Sequence, residues 1–198
     1  MSNLVLASGS QIRATLLKNA GLTLTIDPAD IDERSLEAKL SEKGASPEEI
    51  ALELAKEKAI HVSKRQPQQL VIGADQVLSF EDIRLNKPKN MAEAQQRLRD
   101  FSGKSHQLHS AICVALNGTS LFQATSTANL FVRKLEEAFL DWYMHNSGES
   151  ILQSVGAYQL EGIGIQLFEK IEGDYFTILG LPLLQLLNFL RSEGHLKT

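Results

Sequence analysis

The chain has 198 residues, a formal charge of −4 and 43% apolar residues, enough for a core in a single domain over 1–198 or a compact two-lobed unit. This acidic balance argues against a nucleic-acid polymer as partner, since such partners call for a broad basic face. Cys113 is the single cysteine, which excludes an intrachain disulfide and a four-cysteine zinc site. No apolar run is long enough to span a bilayer, and Arg13 and Lys18 interrupt the first apolar segment, so a cytoplasmic setting away from any membrane is expected.

The apolar run at 4–7 predicts a first strand, and a helix follows from Ser10 to Asn19, stopped by Gly21. Residues 23–27 alternate and predict a strand, after which Asp30-Ile31-Asp32-Glu33 reads as an acidic loop. Ser46-Pro47-Glu48-Glu49 combines an N-cap serine, a first-turn proline and a glutamate three residues on, and opens a helix reaching about Arg65. Residues 70–74 predict a short buried strand, Asp75 sits where it ends, and 77–80 continue extended. Asn90 opens a helix that stops near Gly103. Two β-rich runs, 107–116 and 119–133, flank Asn117-Gly118, a strong hairpin signal. Residues 135–145 read as a helix with Leu135, Phe139 and Trp142 at core spacing, and 156–164 as a glycine-dense loop. Residues 165–171 and 175–179 read as strands around Gly173, and Leu181-Pro182 starts a last helix ended by Gly194. Interleaved strands and helices with an antiparallel hairpin give an α/β class with a mixed sheet.

The turn Ser8-Gly9-Ser10-Gln11-Ile12-Arg13 gathers backbone N–H groups, two hydroxyls and a guanidinium at a helix N-terminus, a combination suited to a phosphate. It lacks the Gly-Lys-Ser/Thr of a P-loop, and a plain N-cap serine is the simpler reading of the turn alone. Asp75 follows an apolar run at a strand edge that in open α/β sheets faces the ligand crevice. With Glu33 it could supply the one or two carboxylates that Mg²⁺ takes beside phosphate oxygens and water. Lys58, in a helix with Lys56 and Lys64, reads as a surface residue, whereas Lys87 in Asn86-Lys87-Pro88 is held extended by the proline. His106 and His109, three apart in a strand, face opposite ways, so no shared metal is expected. Cys113 reads as a small buried apolar residue.

Leu6-Ala7-Ser8-Gly9-Ser10 with Arg13, Glu57-Lys58-Ala59, Gly73-Ala74-Asp75, Lys87-Pro88, Ser102-Gly103 with His106, Gly156-Ala157-Tyr158, Glu161-Gly162 and Gly180-Leu181-Pro182-Leu183 occur in one order along the chain. In that order and spacing the sequence resembles the Maf family of nucleoside triphosphate pyrophosphatases over essentially its whole length. The resemblance implies an elongated, ITPase-like mixed sheet flanked by helices, with two lobes around a central cleft. It implies hydrolysis of a nucleoside triphosphate to the monophosphate and pyrophosphate with a divalent cation, Mg²⁺ or Mn²⁺, and a homodimer. By position, Asp75 matches the family's proton acceptor, and Ser8, Ser10 and Arg13 match its phosphate-binding loop. Glu33, Lys58 and Lys87 match charged cleft residues. Of the three positions where substrate branches differ, Gln76 and Glu161 fit the branch that prefers 7-methyl-GTP. Ile12 fits neither that branch nor the dTTP/UTP branch, which Ser154-Val155-Gly156-Ala157-Tyr158 resembles more closely. Two roles for Asp75 stay open, general base and metal ligand. A nucleotide-binding regulator of cell division with little catalysis is the rival reading.

Overall fold

The computed structural model of the chain describes residues 4–81 and 83–197. In chain order the elements are β1 (Leu4–Leu6), α1 (Gln11–Asn19), β2 (Leu24–Ile26), α2 (Glu33–Glu42), α3 (Pro47–Arg65), β3 (Leu70–Phe80) and β4 (Ile83–Leu85). There follow α4 (Met91–Phe101), β5 (Ser105–Leu116), β6 (Thr119–Val132), α5 (Glu137–Ser147), β7 (Phe168–Glu172), the single turn α6 (Tyr175–Ile178) and α7 (Leu183–Ser192). The strands form one seven-stranded sheet in the order β2-β1-β3-β5-β6-β7, with β4 paired to β3. β1 is parallel to β2 and β3, while β4 on β3 and β7 on β6 are antiparallel, so the sheet is mixed as expected. No helix among the described residues is long and apolar enough to cross a membrane.

The chain divides into two compact units. The first runs through Gln76 and adds His109–Thr127 and the residues from Tyr175 on; the second comprises Val77–Leu108 and Ala128–Asp174. Each of β3, β5 and β6 contributes residues to both.

Local chemistry accounts for the elements of the first unit. Ser46 and Glu49 close a reciprocal capping box on α3, with Pro47 in its first turn. Asn117 and Gly118 both take positive φ, 48° and 77°, as the tight turn between β5 and β6 requires. α3 lies along one face of β3, and Val62 shares a core cluster with Val71, Val5 and Ala7. Two residues beyond Val71, Gly73 meets the backbone of α3: a Cβ there would lie 2.1 Å from the Ala55 carbonyl oxygen and 2.7 Å from the Ala59 nitrogen. Strand residues two apart share a face, so Asp75 comes next on the side that α3 covers.

Several sequence expectations are corrected. Asp75 lies inside β3, which runs unbroken to Phe80. The strand that ends is β1, whose Leu6 is opposite Ile72. The Glu33 end of the acidic loop is helical, because the Asp32 carboxylate caps α2 by accepting from the Ser35 N–H. Residues 175–178 form a helical turn, closed by main-chain bonds from the Leu179 N–H to Tyr175 and the Leu181 N–H to Phe176, and the Gln76 side chain takes the Thr177 and Ile178 carbonyls. In α5 the buried pair is Leu140 and Tyr143, while Trp142 is 42% exposed; Leu135 precedes the helix, so its spacing to Trp142 is not helical. β7 starts at Phe168, after a 3₁₀ turn over Ile163–Leu167.

The core of the second unit contains a titratable group. His106 is 2% exposed, stacks on Phe101 at 4.4 Å and shares a 2.6 Å hydrogen bond from Nε2 with the Tyr158 hydroxyl. Its Nδ1 has no partner among the described residues. Burial lowers its pKa from 6.5 to about 3. The unfolded chain therefore binds a proton near pH 6.5 that the folded chain refuses until about pH 3, and stability falls as pH drops through that window. The loss at pH 5 is expected to be about 2 kcal/mol. His106→Gln, which keeps a polar partner for Tyr158 but does not titrate, should flatten this acid limb in denaturant melts from pH 8 to 4. An unchanged limb would assign acid sensitivity to other groups.

Candidate active site

The first unit brings Ser8, Ser10, Arg13, Glu33, Lys58 and Asp75 into one connected set. β1 stops at Leu6, and the chain turns through Ser8-Gly9-Ser10 into α1 while β3 runs on beside it. Ser10 is the N-cap of α1 and accepts from the Arg13 N–H. Ser8 Oγ accepts from the Ser10 N–H at 3.3 Å and from Arg13 Nη1 at 3.1 Å. A hydroxyl has two acceptor sites and one donor hydrogen. Ser8 has filled both acceptor sites and keeps its O–H, which suits an oxygen-rich anion.

Arg13 is anchored as firmly. Nε donates to the Gly180 carbonyl and Nη1 to the Ala74 carbonyl, each at 2.8 Å. Three of the five guanidinium hydrogens thereby hold the loop after α6, the residue before Asp75 and the Ser8 hydroxyl, and Nη2 is left without a hydrogen-bond partner among the described residues. Glycine is favoured at position 180 for two reasons. Its φ is +85°, and a Cβ would come within 3.1 Å of Arg13 Nη2. Gly180 and Gly73 enter the sequence pattern only as motif members; the structure supplies the physical reason for each.

Lys58 does not face solvent. It is 7% exposed, and its ammonium lies 2.5 Å from Asp75 Oδ1 and 2.9 Å from Glu33 Oε1. Asp75 is 8% exposed. Burial pushes its pKa above the ordinary carboxylate value, Lys58 and Arg13 pull it back, and Glu33 adds to the rise. The net direction is upward, toward the range in which a carboxylate accepts a proton at neutral pH. Burial also lowers the pKa of Arg13, with Asp75 and Glu33 opposing the change.

Gln76 lies on the opposite face of β3 from Asp75 by the alternation of the strand. Its Nε2 is within 3.0 Å of Ser110 Oγ, the Thr177 carbonyl and the Ile178 carbonyl, and Ser110 Oγ donates to the Thr177 carbonyl at 2.7 Å. Ser110 carries no sequence signal, being one serine in an apolar strand. Ile12 is half-buried in the first turn of α1. Lys87 and Glu161 belong to the second unit, and both are exposed. His106 and His109 bond different partners, Tyr158 and Thr127. Cys113 is buried with its sulfur 3.3 Å from Ser120 Oγ.

The description Maf-like protein matches residues 3–193. A 7-methyl-GTP pyrophosphatase from Brucella suis biovar 1 is 53% identical over 190 residues, which cover 96% of this chain and 96% of that one. A nucleoside triphosphate pyrophosphatase from Bradyrhizobium diazoefficiens is 52% identical over 192 residues, covering 97% of this chain and 94% of its own. Among solved structures, a HAM1 protein from Coxiella burnetii aligns over 67% of this chain and 73% of its own at 19% identity and a TM-score of 0.41, too loose a likeness to bear on function. With a family match over nearly its full length and relatives above 50% identity, the chain belongs to the Maf-like protein family.

Proposed function

We propose that this protein hydrolyses a nucleoside triphosphate to the monophosphate and pyrophosphate, with 7-methyl-GTP as its substrate. The observation that carries the reading is the donor set beside Asp75. Ser8 and Ser10 keep their O–H groups, Arg13 keeps Nη2, and α1 offers its first N–H groups, all next to a buried carboxylate. The names of relatives at about 50% identity support it.

In this reading the Ser8–Arg13 turn binds phosphate oxygens and Lys58 offsets phosphate charge; for Lys87 a phosphate-binding role rests on the family resemblance alone. Asp75 accepts the proton of the water whose oxygen attacks the α-phosphorus, as the bond from that phosphorus to the bridging oxygen breaks. Glu33 and Asp75 both contact the Lys58 ammonium, and they are the two carboxylates that would hold a divalent cation completing its shell with phosphate oxygens and water. Mg²⁺ or Mn²⁺ held there would neutralise triphosphate charge and orient the reacting groups. Gln76, Glu161 and Ile12 are the residues assigned to the base, with the Glu161 carboxylate favouring the cationic methylated purine. A cytoplasmic setting and a homodimer belong to the same reading.

The test is pyrophosphate release from GTP, 7-methyl-GTP, UTP and dTTP, with and without Mg²⁺ or Mn²⁺. Turnover is expected, with 7-methyl-GTP preferred. Glu161→Gln should reduce that preference about tenfold, the size of one charge-assisted contact. An unchanged preference would remove Glu161 from base recognition, a preference for dTTP and UTP would reassign the substrate, and nucleotide binding without turnover would favour the regulator.

A further inference from the structure

A buried arginine in the second unit has no part in the chemistry above. Arg97, on α4, is only 7% exposed, and arginine is seldom so buried unless its donors are matched. Its Nη1 donates to two main-chain carbonyls from distant parts of the sequence, those of Asn86 and, at 2.5 Å, Val155. Its Nη2 donates to Glu93 Oε1 at 3.3 Å, one helical turn earlier on α4. The other oxygen of Glu93 accepts from the Lys89 N–H at 3.0 Å.

These bonds bracket Lys87. The carbonyl of the residue before it is held by Arg97, and the amide two residues after it is held by Glu93, with Pro88 buried between. The bond to Val155 reaches the other functional segment of this unit. Val155 leads directly into Gly156, which lies so close to the Tyr158 ring that a Cβ would be 2.2 Å from Cε1. Ala157 takes a φ of +59°, and the Tyr158 hydroxyl is tied to His106 at 2.6 Å. The segment from Val155 to Tyr158 therefore has little slack, and Glu161 follows three residues later.

We infer that Arg97, braced by Glu93, is a positioning residue that fixes the Lys87 segment and the Glu161 segment to one another. The inference rests on the proposed roles of Lys87 at the triphosphate and Glu161 at the base. A guanidinium suits the task because its planar fork holds fixed directions, whereas a lysine presents a point charge on a shorter, flexible stem. One nitrogen shared by two carbonyls sets the spacing of their chains, so the grip on phosphate and the reading of the base move together.

Arg97→Lys keeps the charge and loses the fork. It should raise KM for 7-methyl-GTP about tenfold with kcat within about twofold of wild type, and reduce the preference for 7-methyl-GTP over GTP. Glu93→Ala removes a half-buried side chain at the helix surface and carries the test if Arg97→Lys does not fold; it should move KM and preference the same way, by about threefold. Thermal melts fix the folded fraction of each variant. If both variants lose activity only in proportion to folded protein, with KM and preference unchanged, Arg97 merely fills the core and the inference is overturned. Lys87→Met and Glu161→Gln, measured alongside, separate the two levels. If they alter KM and preference while the Arg97 and Glu93 variants do not, the positioning role alone fails. If they too alter neither, the functional reading falls and takes the positioning role with it.

Discussion

Asp75→Asn should lower turnover by about 10²- to 10⁴-fold, the contribution typical of a positioned general base. Nucleotide binding should persist, since the phosphate-facing donors of Ser8, Ser10 and Arg13 do not depend on the carboxylate. The fold should also persist. An asparagine oxygen can still accept from the Lys58 ammonium, and Lys58 retains Glu33 at 2.9 Å, so the substitution leaves no unpaired buried charge. Steady-state pyrophosphate release, nucleotide titration and a thermal melt together check the claim. Turnover near the wild-type rate would remove Asp75 from the chemistry. The two roles open to this carboxylate also separate here. As a base alone it should leave the Mn²⁺ concentration for half-maximal turnover unchanged, and as a ligand its loss should raise that concentration. The position of Asp75 explains why it suits either role. It is buried enough for its pKa to rise, yet two cations lie close enough to favour its charged form.

The part of this arrangement legible in the sequence was the part set by short-range chemistry. Ser10 as a cap, the Ser46–Glu49 capping box and the Asn117-Gly118 turn are local decisions, and each appears in the structure as read. Beside Lys56 and Lys64, Lys58 reads as a surface residue, and the structure buries it. Its helical period tells more: Leu54, Lys58 and Val62 recur every four residues, and the two apolar members are fully buried. A lysine on an apolar stripe needs an anion, and Asp75 is that anion. The turn at Tyr175–Ile178 was less accessible. Its composition suits a strand, but main-chain bonds from Leu179, Gly180 and Leu181 back to Tyr175, Thr177 and Phe176 close it as a turn, and the distant Gln76 amide and Ser110 hydroxyl add to the hold on its carbonyls. The helix at Glu33–Glu42 buries no residue fully, and Leu36 and Leu40, both half-buried, give it a single apolar repeat, too short to read as a helix. The resemblance places Glu33, Lys58 and Asp75 in one site; the Lys58–Asp75 contact comes from the packing of α3 on β3, and the Lys58–Glu33 contact from α2 beside α3.

That packing makes Gly73→Ala the most damaging small substitution to expect. The added methyl would lie 2.1 Å from the Ala55 carbonyl oxygen, 2.7 Å from the Ala59 nitrogen and 2.9 Å from the Ala59 Cβ. Two of these three are backbone atoms, so no rotamer change relieves the contact, and α3 must move away from β3 as a body. Overpacking of this kind costs about 3 kcal/mol or more. The shift would also move Lys58, three residues from Ala55 and one from Ala59, away from Asp75 Oδ1. A displacement near 1 Å costs on the order of 100-fold in rate when it misplaces a catalytic group. The expected result is a lower denaturant midpoint together with a fall in kcat of that size in the protein that still folds. Adding Ala59→Gly removes only the side-chain part of the clash and should recover little of either. Wild-type stability and turnover in Gly73→Ala would mean that α3 and β3 can part without consequence, and that the Lys58–Asp75 contact does not depend on their close approach.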